Sequence, residues 1–116
     1  MINEKRLVQI ARENKQGFTA SLNGDLLNLN KGYAVSITNN NGKNIKQLVR
    51  NLSRAEPLFS TAKNLFVGGW LSESKVFFLD FTLIVKSLRE ARAIAQEFSQ
   101  EAVFNFKSKS SIVLVA

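Results

Sequence analysis

Asp80 is an acidic residue set inside the strongest run of strand-forming residues in the chain, Lys75 to Val85. A carboxylate in such a run needs a partner or a shifted pKa, because burial disfavours its charge. With Glu73 or Glu90 as a second carboxylate it has the elements of paired acid–base work or of metal-dependent phosphodiester chemistry. The competing expectation is structural: a solvent-facing carboxylate, or one bonded to a nearby lysine or backbone amide. The rest of the composition favours that second expectation. There is no His and no Cys, which removes histidine general bases, thiol nucleophiles, His/Cys zinc sites and disulfides. Ser72, Ser74, Ser108, Ser110 and Ser111 therefore have no histidine to activate them. Gly68-Gly69 lacks the G-x-x-x-x-G-K-[ST] spacing of a phosphate loop, and no helix follows it directly. No catalytic residue, metal ligand or cofactor is predicted, and a binding role is expected rather than an enzymatic one.

The charge says what such a protein would bind. Sixteen Lys and Arg stand against nine Asp and Glu, a net +7. That balance attracts polyanions, although a charge of this size is also ordinary for solubility. Lys43, Lys46, Arg50 and Arg54 fall at helical spacing, with no acidic residue until Glu56. Such a ridge would contact phosphates in a salt-sensitive way; its alternative is a solvated helix face. DNA or RNA is the expected partner, with an acidic protein surface as the alternative. Lys75, Lys86, Lys107 and Lys109 either extend the basic surface or protect sheet edges from aggregation. Trp70, Tyr33 and Phe66 alternate with other apolar residues and so read as core aromatics, against a platform for stacking bases.

The elements that position these residues follow from period and punctuation. At 116 residues the chain has the size of one domain. Asn3 caps a helix over residues 4 to 14, and Gly17 follows its end. Phe18 to Leu22 is a strand, Asn23-Gly24-Asp25 a tight turn, and Leu26 to Lys31 has no clear period. Gly32 to Thr38 is a strand with Tyr33, Val35 and Ile37 on one face. Asn39 to Gly42 is a polar loop, and Asn41 caps a helix from Lys43 to Arg54. Ile45, Leu48, Val49 and Leu52 form its apolar stripe. Pro57 stops that helix from continuing.

Leu65 to Leu71 is a strand in which Gly68-Gly69 marks a bulge or a close backbone approach. After the turn at Ser72-Glu73-Ser74, Lys75 to Val85 is apolar on both faces and therefore central. Ser87 and Glu90 form a capping box for a helix to Phe98, with Leu88, Ala91, Ala95 and Phe98 inward. Ala102 to Phe106 and Ser111 to Val115 are the last strands. The predicted fold is one α+β domain, residues 1–116: a mostly antiparallel sheet of five to six strands with three helices packed on it. No apolar stretch suits a signal peptide or a membrane span, so a soluble cytoplasmic protein with no membrane partner is expected.

Several short pieces, in order along most of the chain, carry a resemblance. They are Gly17-Phe18-Thr19, Gly32-Tyr33-Ala34-Val35, Gly68-Gly69-Trp70, Leu79-Asp80, Glu90-Ala91 and Gln100 to Phe106. In this pattern the chain resembles a family of small domains borne by phages, plasmids and conjugative elements, a family without an assigned activity. The Asn-rich loop at 39 to 44 and the high positive charge depart from it. The resemblance implies an accessory protein of a mobile genetic element, with a host or element protein as the alternative partner to nucleic acid.

Overall fold

A computed structural model describes residues 1–114 of the chain. Its elements are α1 (Glu4–Glu13), β1 (Phe18–Ala20), β2 (Tyr33–Ser36), β3 (Asn41–Gly42), α2 (Ile45–Ala55), a 3-10 turn at Glu56–Phe59, β4 (Leu65–Leu71), β5 (Phe77–Val85), α3 (Leu88–Glu97), β6 (Ala102–Asn105) and β7 (Ser110–Val113). The seven strands form one sheet in the order β1-β4-β5-β2-β6-β7, with β3 paired to β5 beside β2. Every pairing is antiparallel. The expected α+β architecture is what the chain adopts, with one more strand than predicted.

All three helices cover the same face of the sheet. Leu7, Ile10 and Ala11 of α1 and Ile45, Leu48, Val49 and Leu52 of α2 share a core with Val67, Leu79 and Phe81. Ala91 and Ala95 of α3 close a second cluster with Val35 and Val103. β5 sits at the centre, as its two apolar faces require. Its odd-numbered residues Leu79 and Phe81 point to the helices, and Phe78, Asp80, Thr82 and Ile84 point to the other face by alternation.

Local chemistry sets the boundaries. The Asn3 side chain accepts from the Arg6 amide, and the Ser87 hydroxyl accepts from the Glu90 amide, each satisfying a free donor of a helix start. The cap of α2 is Asn44, whose side chain accepts from the Gln47 amide. Asn41 is instead drawn into β3, pairing with Phe78 while Gly42 pairs with Phe77. The predicted Asn-rich loop is therefore part of the sheet, and the helix starts at Ile45, not Lys43. Gly68-Gly69 forms no bulge, because the β4–β5 register runs unbroken from Leu65 to Leu71. The glycines serve close approach: a Cβ at Gly69 would lie 2.6 Å from the Phe18 ring and 2.9 Å from Leu79 Cδ1. The predicted last strand ends at Val113 among the described residues, and Val115 lies outside them. No helix among the described residues is long and apolar enough to cross a membrane.

Candidate nucleic-acid interface

The stripe of Ile45, Leu48, Val49 and Leu52 fixes how α2 is rotated on the sheet, so the opposite side faces water. Lys46, Arg50 and Arg54 stand on that side and Lys43 lies just before the cap, all four exposed. The i, i+4, i+8 spacing turns the row by about 40° per step and spreads it over about 12 Å of helix. None of the four makes an ion pair or a side-chain hydrogen bond among the described residues. Glu56, the next acidic residue in sequence, is held elsewhere. Its carboxylate lies 3.3 Å from the Met1 ammonium and accepts from the Ile2 amide at 3.2 Å. The predicted ridge is thus present as an uncompensated row of cations.

Asp80 is only 7% exposed although no helix covers its face. Its Oδ1 accepts from the Thr38 hydroxyl at 2.7 Å and from the Asn40 amide at 2.8 Å. The Thr38 hydroxyl also accepts from the Phe81 amide at 3.1 Å. β2 leaves β5 after the Ser36–Thr82 pair, and β3 joins it again at Phe78. Between them the Ile37 amide donates to Phe81 and the Leu79 amide to Asn40. Asp80 closes that interruption by taking the donors the ladder leaves free. Burial pushes its pKa above the ordinary 3.8, and the bonds from Thr38 and Asn40 pull against that rise. Neither Glu73 nor Glu90 is among its partners: Glu90 accepts from the Ser87 hydroxyl, and Glu73 is exposed in the β4–β5 turn.

Asn40 extends the same network to the helix. Its side-chain amide donates to the carbonyls of Leu48 in α2, at 2.9 Å, and Leu79 in β5, at 2.7 Å. Its oxygen accepts from Asn51, which accepts in turn from Gln47. Thr38 and Asn40 were not singled out by sequence. The available signal was an Asn-rich segment beside strands, where amide side chains can stand in for ladder bonds.

The aromatic residues divide. Tyr33 packs under α3 with Val85 and Leu88. Phe66 is half-buried on the opposite face, in register with Thr82. Trp70 is not a core residue: it is 51% exposed and stacks on Phe78, with ring centroids 5.0 Å apart and planes 13° from parallel. Of the outlying lysines, Lys109 donates to the Leu29 carbonyl, while Lys75, Lys86 and Lys107 are exposed.

Concavities are small where they are enclosed. A space of about 10 Å³, near the volume of a single water, lies among Ala11, Lys15, Ile45, Trp70 and Phe78. A shallow depression of about 410 Å³ runs along residues 12 to 17 and is open to solvent. Among the described residues no three His, Cys, Asp or Glu side chains are grouped to hold a metal. Compared with known proteins, the chain matches no family model, and no curated protein or solved structure proved similar to it.

Proposed function

We propose that this chain is a non-enzymatic protein that binds nucleic acid through the solvent face of α2, with Lys43, Lys46, Arg50 and Arg54 contacting phosphates. The observation that carries this is the row itself: three exposed cations on one side of α2 and a fourth just before its cap, without a carboxylate against any of them among the described residues. Four phosphates neutralised on a duplex give a slope of log K against log salt of about −3.6, and on a single strand of about −2.8. Asp80, the best catalytic candidate by position, already spends an oxygen on two donors that hold the sheet together. A cytoplasmic location suits such a partner, and the resemblance in short motifs supports service to a mobile genetic element.

The test is a salt titration of DNA and RNA binding by the wild type and by the double variant Lys46→Glu, Arg50→Glu. Binding should weaken and the duplex slope should become shallower by about 1.8. Unchanged affinity in the variant, or no wild-type affinity at low salt, refutes the proposal. The second reading is a module that binds an acidic host or element protein. It is favoured by the outermost strand β7, whose Val113 is 73% exposed at a free sheet edge. Partners captured from lysate that survive nuclease treatment would support it over the first.

A further inference from the structure

Trp70 is the chain's only tryptophan, and half of its surface faces water on the sheet face that no helix covers. An aromatic ring of that size is usually buried. Here Phe78 supports one side of the indole in a near-parallel stack and leaves the rest open. The backbone beneath it is held on both sides. Trp70 pairs with Phe78 in the β4–β5 ladder, and the Leu71 amide donates to the Lys15 carbonyl at 2.9 Å. The ring therefore sits on a fixed platform instead of a mobile loop.

Lysines gather at this end of the sheet. Lys15 precedes β1, and its carbonyl accepts from the Leu71 amide, next to Trp70 in β4. Lys43 follows directly on Gly42, which pairs with Phe77. Lys75 lies in the turn that joins β4 to β5, its amide donating to the Ser72 carbonyl. Lys46 is in the first turn of α2, on the helix-covered side of the sheet. Glu73 is the acidic residue in that turn. The long connection from β1 to β2 first runs back along β1, where the Leu27 amide donates to the Thr19 carbonyl, and ends at the far end of the sheet, where Tyr33 pairs with Val85.

We infer that this end of the sheet is a binding site for single-stranded nucleic acid, with one base stacked on Trp70 and the flanking phosphates taken by Lys15, Lys43 and Lys75. An exposed indole offers a stacking surface to any base, but only an unpaired base can present its face to it. Three lysines at one end of the sheet suit a phosphate backbone, which an apolar peptide would not need. This inference rests on the reading that the chain binds nucleic acid and adds a second contact surface to it. The outer side of α2 lies across the sheet from Trp70, so the two surfaces are separate contacts.

The full-length chain would be titrated with a short oligothymidylate and with a duplex of equal length, following both anisotropy and the fluorescence of Trp70. Quenching by the single strand is expected. Trp70→Ala should weaken single-strand binding by about fivefold to about 150-fold, the range for losing one stacked base, and change duplex binding less than twofold. Trp70→Phe, which keeps a ring on Phe78, should recover most of the loss and guards against a folding defect in the alanine variant. Single-strand binding without quenching, or equal weakening of both substrates by Trp70→Ala, overturns the inference while leaving the α2 reading standing. Sensitivity to Trp70→Ala without sensitivity to Lys46→Glu, Arg50→Glu upholds it and removes the α2 row instead. No binding to either substrate at low salt refutes both.

Discussion

Replacing Asp80 separates a structural carboxylate from a catalytic one. Asp80→Asn keeps a carbonyl oxygen where Oδ1 now accepts from Thr38 and Asn40, and it removes the charge that burial penalises. Asp80→Ala leaves both donors without a partner. An unsatisfied buried donor costs about 1–3 kcal/mol. Both residues are half-buried; the Asn40 backbone amide cannot reorient and bears that in full, while losing the bond from the Thr38 hydroxyl, which can turn toward water, adds about 1 kcal/mol. The expected loss for Asp80→Ala is then about 2–4 kcal/mol, and Asp80→Asn should stay within about 1 kcal/mol of wild type. For 116 residues at about 2.1 cal/mol/K of unfolding entropy each, 1 kcal/mol moves the melting midpoint by about 4 °C. The alanine variant should melt about 8–16 °C lower.

The pH dependence follows from the same site. A carboxyl whose folded pKa lies above its unfolded value holds its proton more tightly in the folded state. The stability it adds is fully present below the unfolded value near 3.8 and is lost as pH rises through the raised folded value. Thermal melts of wild type from pH 3 upward therefore contain a falling contribution from Asp80 just above 3.8, and that contribution should vanish in Asp80→Asn. Melts followed by circular dichroism, with guanidinium titrations at two pH values, measure both effects. An asparagine variant as unstable as the alanine variant would refute the reasoning. So would a contribution from Asp80 that rises with pH, since the hydrogen bonds to the ionised form would then outweigh burial.

Two more predictions concern the scaffold. Gly69→Ala places a Cβ within 2.6–2.9 Å of Phe18 and Leu79 in a packed core, so it should destabilise by about 1–3 kcal/mol despite the better strand propensity of alanine; a variant that melts at or above wild type refutes it. Asn40→Ala removes bonds to Leu48, Leu79 and Asn51 together and should cost about 2–3 kcal/mol, read from the denaturation midpoint in urea.

Periodicity made much of this fold legible. The α2 stripe lands in the core residue for residue, and the capping residues Asn3 and Ser87 start their helices as their chemistry requires. The misreadings share a cause, which is that side chains and partners distant in sequence decided the outcome. Asn41 looks like a cap, but its backbone pairs with Phe78, 37 positions away, and Asn44 takes the capping role. Gly68-Gly69 reads as a bulge or a close approach, and the second holds, but nothing local reveals that Phe18, Leu79 and Thr82 need the space above it. Trp70 alternates like a core residue, yet alternation gives only the face of a strand. It cannot say that three helices all choose the other side. The basic row was visible because it depends only on the helix period and on the apolar stripe opposite.

The interruption between β2 and β3 links the buried network to the exposed cations. Asp80 holds the Asn40 amide, Asn40 ties Leu79 of β5 to Leu48 of α2, and the chain then passes through β3 to Lys43 and the Asn44 cap. Residues 38 to 44 are thus braced against strand and helix at once, and this bracing sets where the first cation of the row stands relative to the Trp70 end. Loosening it acts on binding through position rather than charge. Asp80→Ala should therefore weaken single-strand binding at a temperature where the variant is still folded, while leaving the salt slope near that of the wild type, because the cations themselves remain. Lys43→Ala should do the opposite, lowering the slope by about 0.7 with little change in melting. If Asp80→Ala leaves affinity untouched in the folded protein, the network serves stability alone and Lys43 is placed by the α2 cap without it.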